Sequence, residues 1–469
     1  MNAVNILPGV ARPFAVDADL AALVARIRGA GGRPVAVGGA VRDHLLGGSA
    51  KDVDVEVYGL PLADLEKCLA GFDVHAVGRS FGVLKVKVGE QTFDVSLPRR
   101  ESKTGSGHKG FVVESDPRMD PKDAAARRDF TVNAIGIDLV TLALVDPWCG
   151  ADDLAAGVLR HVSPAFDEDP LRVLRAAQFA ARFSFDVADE TVARCRSLQG
   201  ELKTLPVERV WGEFEKLVLR GVWPSLGLRV LQATGAVDVL FPELQALIGC
   251  PQEPEWHPEG DVWIHTLMVV DEAARVCRED AVDDSERLRV VLGALCHDLG
   301  KPATTEVIDG RTRSRDHEAQ GEAPTRSFLA RIGAAHDLVD DVVALVRDHL
   351  KPFQLFRDNA SDGAIRRLAR RVPIPRLVRV SHADHLGRTT ADALAREDDA
   401  GAWLLAHAAR LRVDTAKPER ILQGRHLIER GLTPGKSFGP VLEEAFEAQL
   451  DGAFDDEPGA LAWLAQRLS

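Results

Sequence analysis

Val37-Gly38-Gly39-Ala40-Val41-Arg42-Asp43, followed by Lys51-Asp52-Val53-Asp54-Val55, is the stretch on which the reading of this 469-residue chain turns. The glycine pair lies between an apolar strand, Pro34-Val35-Ala36-Val37, and a short segment of helical character. At such a junction, exposed backbone N–H groups and a helix N-terminus can hold a triphosphate. Taken alone, a glycine pair is equally an ordinary tight turn. The aspartates change its weight. Strand alternation over 53–57 would point Asp52 and Asp54 to one side. Two neighbouring carboxylates repel unless a dication lies between them, which suits Mg2+ and phosphoryl transfer. A third carboxylate, Asp94 in Thr92-Phe93-Asp94-Val95-Ser96, falls on a later strand able to run beside the first.

Working outward, apolar runs of strand length recur at 83–88 and 92–97, with a helix-sized segment at 61–72, so an α/β head fits the first 150 residues. From Asp152 onward helical periodicity takes over and the remainder reads as all-α. Leu171, Leu174, Ala177, Gln178 and Ala181 make one mostly apolar helical face with Arg172 and Arg175 beside it. A proline-rich stretch, Cys250-Pro-Gln-Glu-Pro-Glu-Trp-His-Pro258, precedes a histidine-rich region, and an acidic segment, 443–457, reads as a solvated face. The expected division is a head at 1–150, a helical neck and body at 151–255, a histidine-rich domain at 256–410 and a helical tail at 411–469.

Composition narrows the class. With 45% apolar and 28% charged residues, the chain has the balance of a globular protein, and no apolar run reaches membrane-spanning length. Residues 1–16 lack a basic stretch followed by an apolar segment, so no secretory signal is expected. Six cysteines form neither a CxxC pair nor a zinc spacing, and read as reduced thiols of a cytoplasmic protein. A net charge of −13 argues against indiscriminate nucleic-acid binding by the whole surface, leaving room for a local basic cleft. No signal for an oligomeric state is visible.

Two further blocks follow in order: Arg127-Arg128-Asp129-Phe130-Thr131-Val132-Asn133-Ala134, and Glu168-Asp169-Pro170-Leu171-Arg172-Val173-Leu174-Arg175. Asp169 and Arg172, three apart, would be neighbours on one helical face, offering an acceptor beside a donor fork. Cytosine and adenine both present an amino donor next to a ring-nitrogen acceptor, whereas uracil and guanine present the reverse. One Asp/Arg pair can therefore accept CTP and ATP and reject UTP and GTP, at roughly 1–3 kcal/mol per mismatched hydrogen bond. A surface salt bridge is the alternative reading of the same two residues.

With these blocks together, the sequence resembles the DNA-polymerase-β-like nucleotidyltransferases and, within them, the bacterial CCA-adding tRNA nucleotidyltransferases. The resemblance spans essentially the whole chain. It implies an α/β nucleotidyltransferase head followed by all-α neck, body and HD domains, acting on tRNA with CTP and ATP and with no membrane partner. Asp52, Asp54 and Asp94 would be the catalytic carboxylates, with Mg2+ on Asp52 and Asp54. Nucleotide would be bound by Gly39, Arg42, Arg127, Arg128, Asp129, Asn133, Asp169, Arg172 and Arg175, the RRD arginines on triphosphate oxygens and Asp129 on the ribose hydroxyl. The polar, Gly-rich segment Arg99-Arg-Glu-Ser-Lys-Thr-Gly-Ser-Gly-His-Lys-Gly110, too long for a hairpin turn, would be the mobile loop that adjusts the pocket between C and A. Val77-Gly-Arg-Ser-Phe-Gly-Val83 occurs in related forms in several relatives and does not discriminate among them.

In the histidine-rich region, His265, His297-Asp298, His317, His349 and Asp384 form the order H…HD…H…H…D. Imidazoles mixed with carboxylates suit a transition metal better than Mg2+. The ordered set resembles an HD-superfamily phosphohydrolase domain, implying metal-dependent hydrolysis of phosphoesters such as 2′,3′-cyclic phosphates with Ni2+, Mn2+ or Co2+. Ile365-Arg-Arg-Leu-Ala-Arg-Arg-Val372, with Arg376 and Arg379, could bind RNA phosphates or form salt bridges to the abundant acidic residues. The segment 421–435 resembles the helical tail of HD-bearing members. The rival functions are a poly(A) polymerase, a CC-only or A-only enzyme, an HD phosphohydrolase with an RNA-binding head, and a non-catalytic tRNA-binding factor.

Overall fold

The computed structural model describes residues 14–48, 52–76, 83–103 and 111–468. The chain divides into two compact units, Met1–Arg209 with Arg229–Leu240, and Val210–Leu228 with Phe241–Ser469.

The first unit is built on a seven-stranded sheet. Its strands are β1 (Arg33–Val37), β2 (Asp54–Tyr58), β3 (Asp73–Ala76), β4 (Val83–Val88), β5 (Gln91–Ser96), β8 (Gly136–Asp138) and β9 (Leu144–Val145), in the order β3-β4-β5-β2-β1-β8-β9. Pairing is antiparallel except between β2 and β5, which run parallel with Asp54 opposite Asp94. Val55, Val57, Val86 and Val95 on one face are almost fully shielded, and helix Ala18–Gly29, with Leu20, Leu23 and Ile27 buried, packs against β1 and β4; Val35, Val37 and Tyr58 cluster on the other face with Met119 and Ala124. Each such side chain contributes about 1.5–3 kcal/mol when fully buried. Asp17 caps that helix by accepting from Leu20 N at 2.9 Å.

Asp52 departs from the sequence expectation. It precedes β2 with φ 53°, so strand alternation does not set its direction; a left-handed turn, which aspartate tolerates, does. The expected loop at 99–110 is also corrected in part. Strands β6 (Arg99–Lys103) and β7 (Phe111–Ser115) pair antiparallel, satisfying backbone groups that a polar composition suggests are left to solvent. Residues 104–110, like 77–82 of the Val77–Val83 motif, lie outside the described residues.

Helix Leu171–Phe183 is buried on more than one face, with Val173, Ala176, Phe179 and Ala180 enclosed beside the residues of the expected stripe. Phe130, Phe166 and Phe179 meet edge to face and tie it to the RRD block. Asp169, however, stands in extended backbone ahead of the helix, with φ −132° and ψ 101°. Pro170 starts the helix after it, so Asp169 and Arg172 do not share a helical face.

The second unit is largely helical. Helices Val262–Glu279, Asp284–Cys296, His336–Asp348 and Ile374–Leu386 pack on one another, the first two capped by Asp261 and Asp283. One exception to the all-α expectation is a hairpin, Thr305–Ile308 with Arg311–Ser314, closed by Asp309-Gly310 with both residues at positive φ. An Asp-Gly pair between β-forming runs is a strong hairpin signal. The tail forms three helices, Gly424–Glu429, Phe438–Leu450 and Glu457–Leu468, around Leu422, Leu427, Ala445, Phe454, Ala460 and Leu464. No helix among the described residues is long and apolar enough to cross a membrane.

Candidate active sites

In the head, parallel pairing of β2 and β5 places Asp54 beside Asp94, and Asp52, in the turn before β2, is near enough for its charge to act on Asp54. Burial raises the pKa of Asp54, and the charges of Asp94 and Asp52 raise it further against the pull of Arg128. A half-buried carboxylate flanked by two others is a donor set suited to a hard divalent cation. Gly38 turns the chain from β1 into helix Gly39–Leu45 at φ 78°, and a Cβ there would stand 3.1 Å from Arg128 Nη1 and 3.6 Å from Asp54 Oδ2. The missing side chain thus keeps open the space between backbone, carboxylate and guanidinium.

The remaining predicted residues form one network. Arg42 is buried, donating to Asn133 Oδ1 at 2.5 Å and to Asp43 while lying over the rings of Phe179 and Phe183. Asn133 donates to Asp129 at 2.9 Å, and Arg175 donates to the same carboxylate at 2.6 and 2.8 Å. Burial opposes ionisation of Asp129, but Arg175 and Asn133 outweigh it and hold its pKa below the usual value. Arg128 donates to Asn133 O, and Arg127 lies 3.7 Å from the buried Glu56. Asp169 accepts from Arg209 at 2.8 Å and from Leu171 N at 3.1 Å, while Arg172 donates to the carbonyls of Ala165 and Arg127. Arg209, the observed partner of Asp169, was not singled out from the sequence; a lone arginine among 58 basic residues gives no local signal.

In the second unit all six histidine-region residues converge. His265 Nε2 lies 3.0 Å from Asp384 Oδ1, and His297 Nε2 lies 3.1 Å from Asp298 Oδ2. His317 Nε2 is 3.4 Å from Asp298 Oδ1 and 3.4 Å from His349 Nε2. The ligand atoms group as two triads sharing Asp298: His265, His297, Asp298 and Asp298, His317, His349. Nδ1 of His297, His317 and His349 faces the carbonyl of Ala294, Ser314 or Val346 at 2.6, 2.9 and 2.7 Å. A carbonyl only accepts, so each Nδ1 carries the proton and each Nε2 presents a lone pair. His297 Nε2 and both oxygens of Asp298 are buried and make no aligned hydrogen bond, although Lys301 Nζ is at ion-pair distance from Oδ2. Inward lone pairs and buried carboxylate oxygens without aligned donors fit a divalent metal. Burial and the neighbouring imidazoles push His349 down to about 3, leaving it neutral. Burial disfavours the His297 imidazolium, yet Asp298 and Asp384 raise its pKa. A metal cation among these carboxylates would supply the charge that this proton otherwise brings.

The backbone explains why HDLGK is written as it is. A Cβ on Gly300 would fall 2.0 Å from the His317 carbonyl oxygen, so only glycine lets the two ligand-bearing turns approach. Four flanking groups were not assigned roles from the sequence. Lys301 Nζ is 2.8 Å from Asp298 Oδ2, Arg388 is 3.3 Å from both Asp384 oxygens, and His257 and Glu259 adjoin His265. The latter two lie at the end of the proline-rich stretch that reads as a boundary, where the pattern His257-Pro258-Glu259 was the available signal.

The comparisons follow this layout. Residues 35–160 match the model of the poly A polymerase head domain, 184–248 that of the probable RNA and SrmB-binding site of polymerase A, and 262–389 that of the HD domain. The multifunctional CCA protein of Xylella fastidiosa is 39% identical over 365 residues, 75% of this chain and 83% of that protein. That of Xanthomonas euvesicatoria pv. vesicatoria is 40% identical over 428 residues, 89% and 98% of the two chains. Among solved structures, the Bacillus stearothermophilus CCA-adding enzyme in complex with CTP aligns with TM-score 0.63 at 22% identity, covering 96% of this chain and 97% of that one. The Thermotoga maritima CCA-adding enzyme complexed with tRNA aligns at 0.60 and 20%, covering 96% and 94%. These two show the fold. A nucleotidyltransferase head and an HD domain together imply a divalent-metal requirement. Identity of this extent along both domains, with the head carboxylates and the histidine cluster each assembled, establishes that the chain belongs to the family of multifunctional CCA proteins.

Proposed function

We propose that this protein adds C, C and A to tRNA 3′ ends from CTP and ATP without a nucleic-acid template, and that its HD domain hydrolyses phosphoesters such as 2′,3′-cyclic phosphates. The observation that carries the first activity is the parallel register of Asp54 with Asp94, with the charge of Asp52 acting on Asp54. Asp52, Asp54 and Asp94 would hold Mg2+, which supplies charge neutralisation for the triphosphate and for the attacking 3′-oxygen. The open backbone at Gly38 and Gly39 admits the triphosphate next to Arg128, and Arg42, Asn133, Asp129 and Arg175 brace the wall of that pocket. Asp169 accepts from the amino group that cytosine and adenine share, exchanging Arg209 for the base, and Arg172 donates to the ring nitrogen beside it. Two of the five N–H donors of Arg172 hold the carbonyls of Ala165 and Arg127, which fixes the guanidinium plane.

His265, His297, Asp298, His317, His349 and Asp384 would hold a transition metal, of which Ni2+, Mn2+ and Co2+ are the candidates; it supplies Lewis acidity at phosphorus. Lys301 and Arg388 offset the carboxylate charge around it. A tRNA substrate and free cysteines fit a cytoplasmic location. The proposed organisation is a head at 1–150, a neck and body at 151–255, an HD domain at 256–410 and a tail at 411–469. The test is tRNA lacking its 3′ end, incubated with each labelled nucleotide alone and together. Full CCA addition from CTP plus ATP is expected, and a homopolymeric A tail or a CC-only product refutes the reading.

A further inference from the structure

His265 differs from the other three histidines of the cluster in how its outer nitrogen is held. His297, His317 and His349 each turn Nδ1 onto the carbonyl three residues back. For His265 that carbonyl would be Val262 O, which accepts the Thr266 hydroxyl at 2.8 Å. Its Nδ1 instead lies 2.8 Å from Glu259 Oε1, at ion-pair distance though not aligned as a hydrogen bond, while Nε2 lies 3.0 Å from Asp384 Oδ1. Glu259 has only 1% of its side chain exposed, and the same Oε1 accepts from His257 Nδ1 at 2.9 Å. Its other oxygen accepts from the Thr389 backbone N–H at 3.2 Å, beyond the C-terminal end of the helix that carries Asp384. The groups nearest this carboxylate are two imidazoles, an amide and a hydroxyl, with the Arg388 guanidinium close enough to act on it electrostatically. A buried carboxylate so placed is costly unless it serves a charged neighbour. A carboxylate on the far nitrogen fixes the tautomer and strengthens the ring as a donor, typically changing metal affinity by about 10- to 100-fold.

We infer that Glu259, held in place by His257 and Thr389, is a positioning residue for the HD centre: it keeps the proton of His265 on Nδ1 and so presents Nε2 as a ligand. The inference rests on the reading of the cluster as a metal centre. In the full-length chain, Co2+ is titrated and its visible d–d absorption followed, the signal lost in His297→Ala defining the HD site. Glu259→Ala should weaken binding about 10- to 100-fold and alter the band. Glu259→Gln, whose amide oxygen still accepts from Nδ1 without a charge, should fall between it and wild type. Extension of tRNA should persist in both. Wild-type affinity and spectrum in both variants overturns the inference, as does equal weakening with an unchanged band, the signature of a merely structural role. If Glu259→Ala does not fold, Glu259→Gln decides alone: wild-type affinity and band overturn the inference, and weaker binding with an altered band supports it. A wild-type Co2+ spectrum that His297→Ala leaves unchanged overturns instead the metal reading on which the inference stands.

Discussion

Replacing Asp169 with asparagine tests the proposed base reading at its weakest point, because the structure gives this carboxylate a partner already. Arg209 donates to Asp169 at 2.8 Å, with the two side chains 33% and 26% exposed. Solvent screens such a pair, so losing it costs about 1 kcal/mol of stability, a few degrees in Tm. Asparagine retains an oxygen for Leu171 N, the cap that Asp169 provides at 3.1 Å, so the start of helix Leu171–Phe183 survives. Specificity responds differently. The carboxylate can only accept, which suits the amino group of cytosine and leaves uracil O4 facing a repelling oxygen. The amide can also donate, which converts that clash into a hydrogen bond. One bond of about 1–3 kcal/mol should lower the CTP:UTP ratio of kcat/KM by roughly 5- to 150-fold. The assay is single-nucleotide addition to tRNA ending before the first C, with each nucleotide varied separately. An unchanged ratio in a variant that retains its fold would make Asp169 and Arg209 a structural pair, with the base read elsewhere.

Three other outcomes are expected. Asp54→Ala should abolish nucleotide addition while tRNA binding measured by filter retention stays near wild type. Since burial and two like charges raise its pKa, removing Asp54 should leave Tm unchanged or higher. His297→Ala or Asp298→Ala should eliminate metal-dependent phosphohydrolase activity on a 2′,3′-cyclic nucleotide with CCA addition preserved; parallel loss of both activities in a folded protein would refute independent sites. Asp129 has a folded pKa below its unfolded value of about 3.9, so its stabilising contribution is complete above that value and is lost as pH falls through the folded pKa. Arg175→Ala should cost about 1.5–3 kcal/mol at pH 7 and flatten that acid limb, measured as Tm against pH.

What the sequence made legible depended on whether a signal was local. The strand periods and the ordered histidines could be read because period and residue type are properties of short windows, and Val83–Val88 appears as a strand with the expected bounds. The parallel pairing of Asp54 with Asp94 needed only the guess that two strands were neighbours. Three readings failed where tertiary context decides. Asp52 was placed by alternation, but the strand starts at Asp54 and a positive φ sets its direction instead. Asp169 was counted into a helix that Pro170 begins after it. The β6 strand was hidden by polar composition, which carries no record of its backbone pairing with β7. His257 and Glu259 were missed because proline spacing reads as punctuation, although here it ends in a pair that packs against His265.

The arginine segment shows how the same composition yields opposite functions once neighbours are known. Helix Asp362–Arg371 presents Arg367 to Glu447 and Asp451 at 2.7 and 2.8 Å, and Arg370 to Glu447 at 3.0 Å. Arg366 donates to Leu450 O, while Arg371 holds the buried Asp348 at 2.8 Å. Arg376 and Arg379 both reach Glu286 on the capped first turn of helix Asp284–Cys296. The expected salt bridges are present, and part of the acidic 443–457 segment is their counter-surface rather than a solvated face. Exposed pairs of this kind contribute only about 0–1 kcal/mol each, so the apolar contacts around Leu427 and Phe454 must supply most of the stability of the tail. The pairs instead fix which face of helix Phe438–Leu450 meets the HD helices, since a rotated helix would set Glu447 away from Arg367 and Arg370 together. RNA phosphates at those arginines would have to compete with carboxylates already in place.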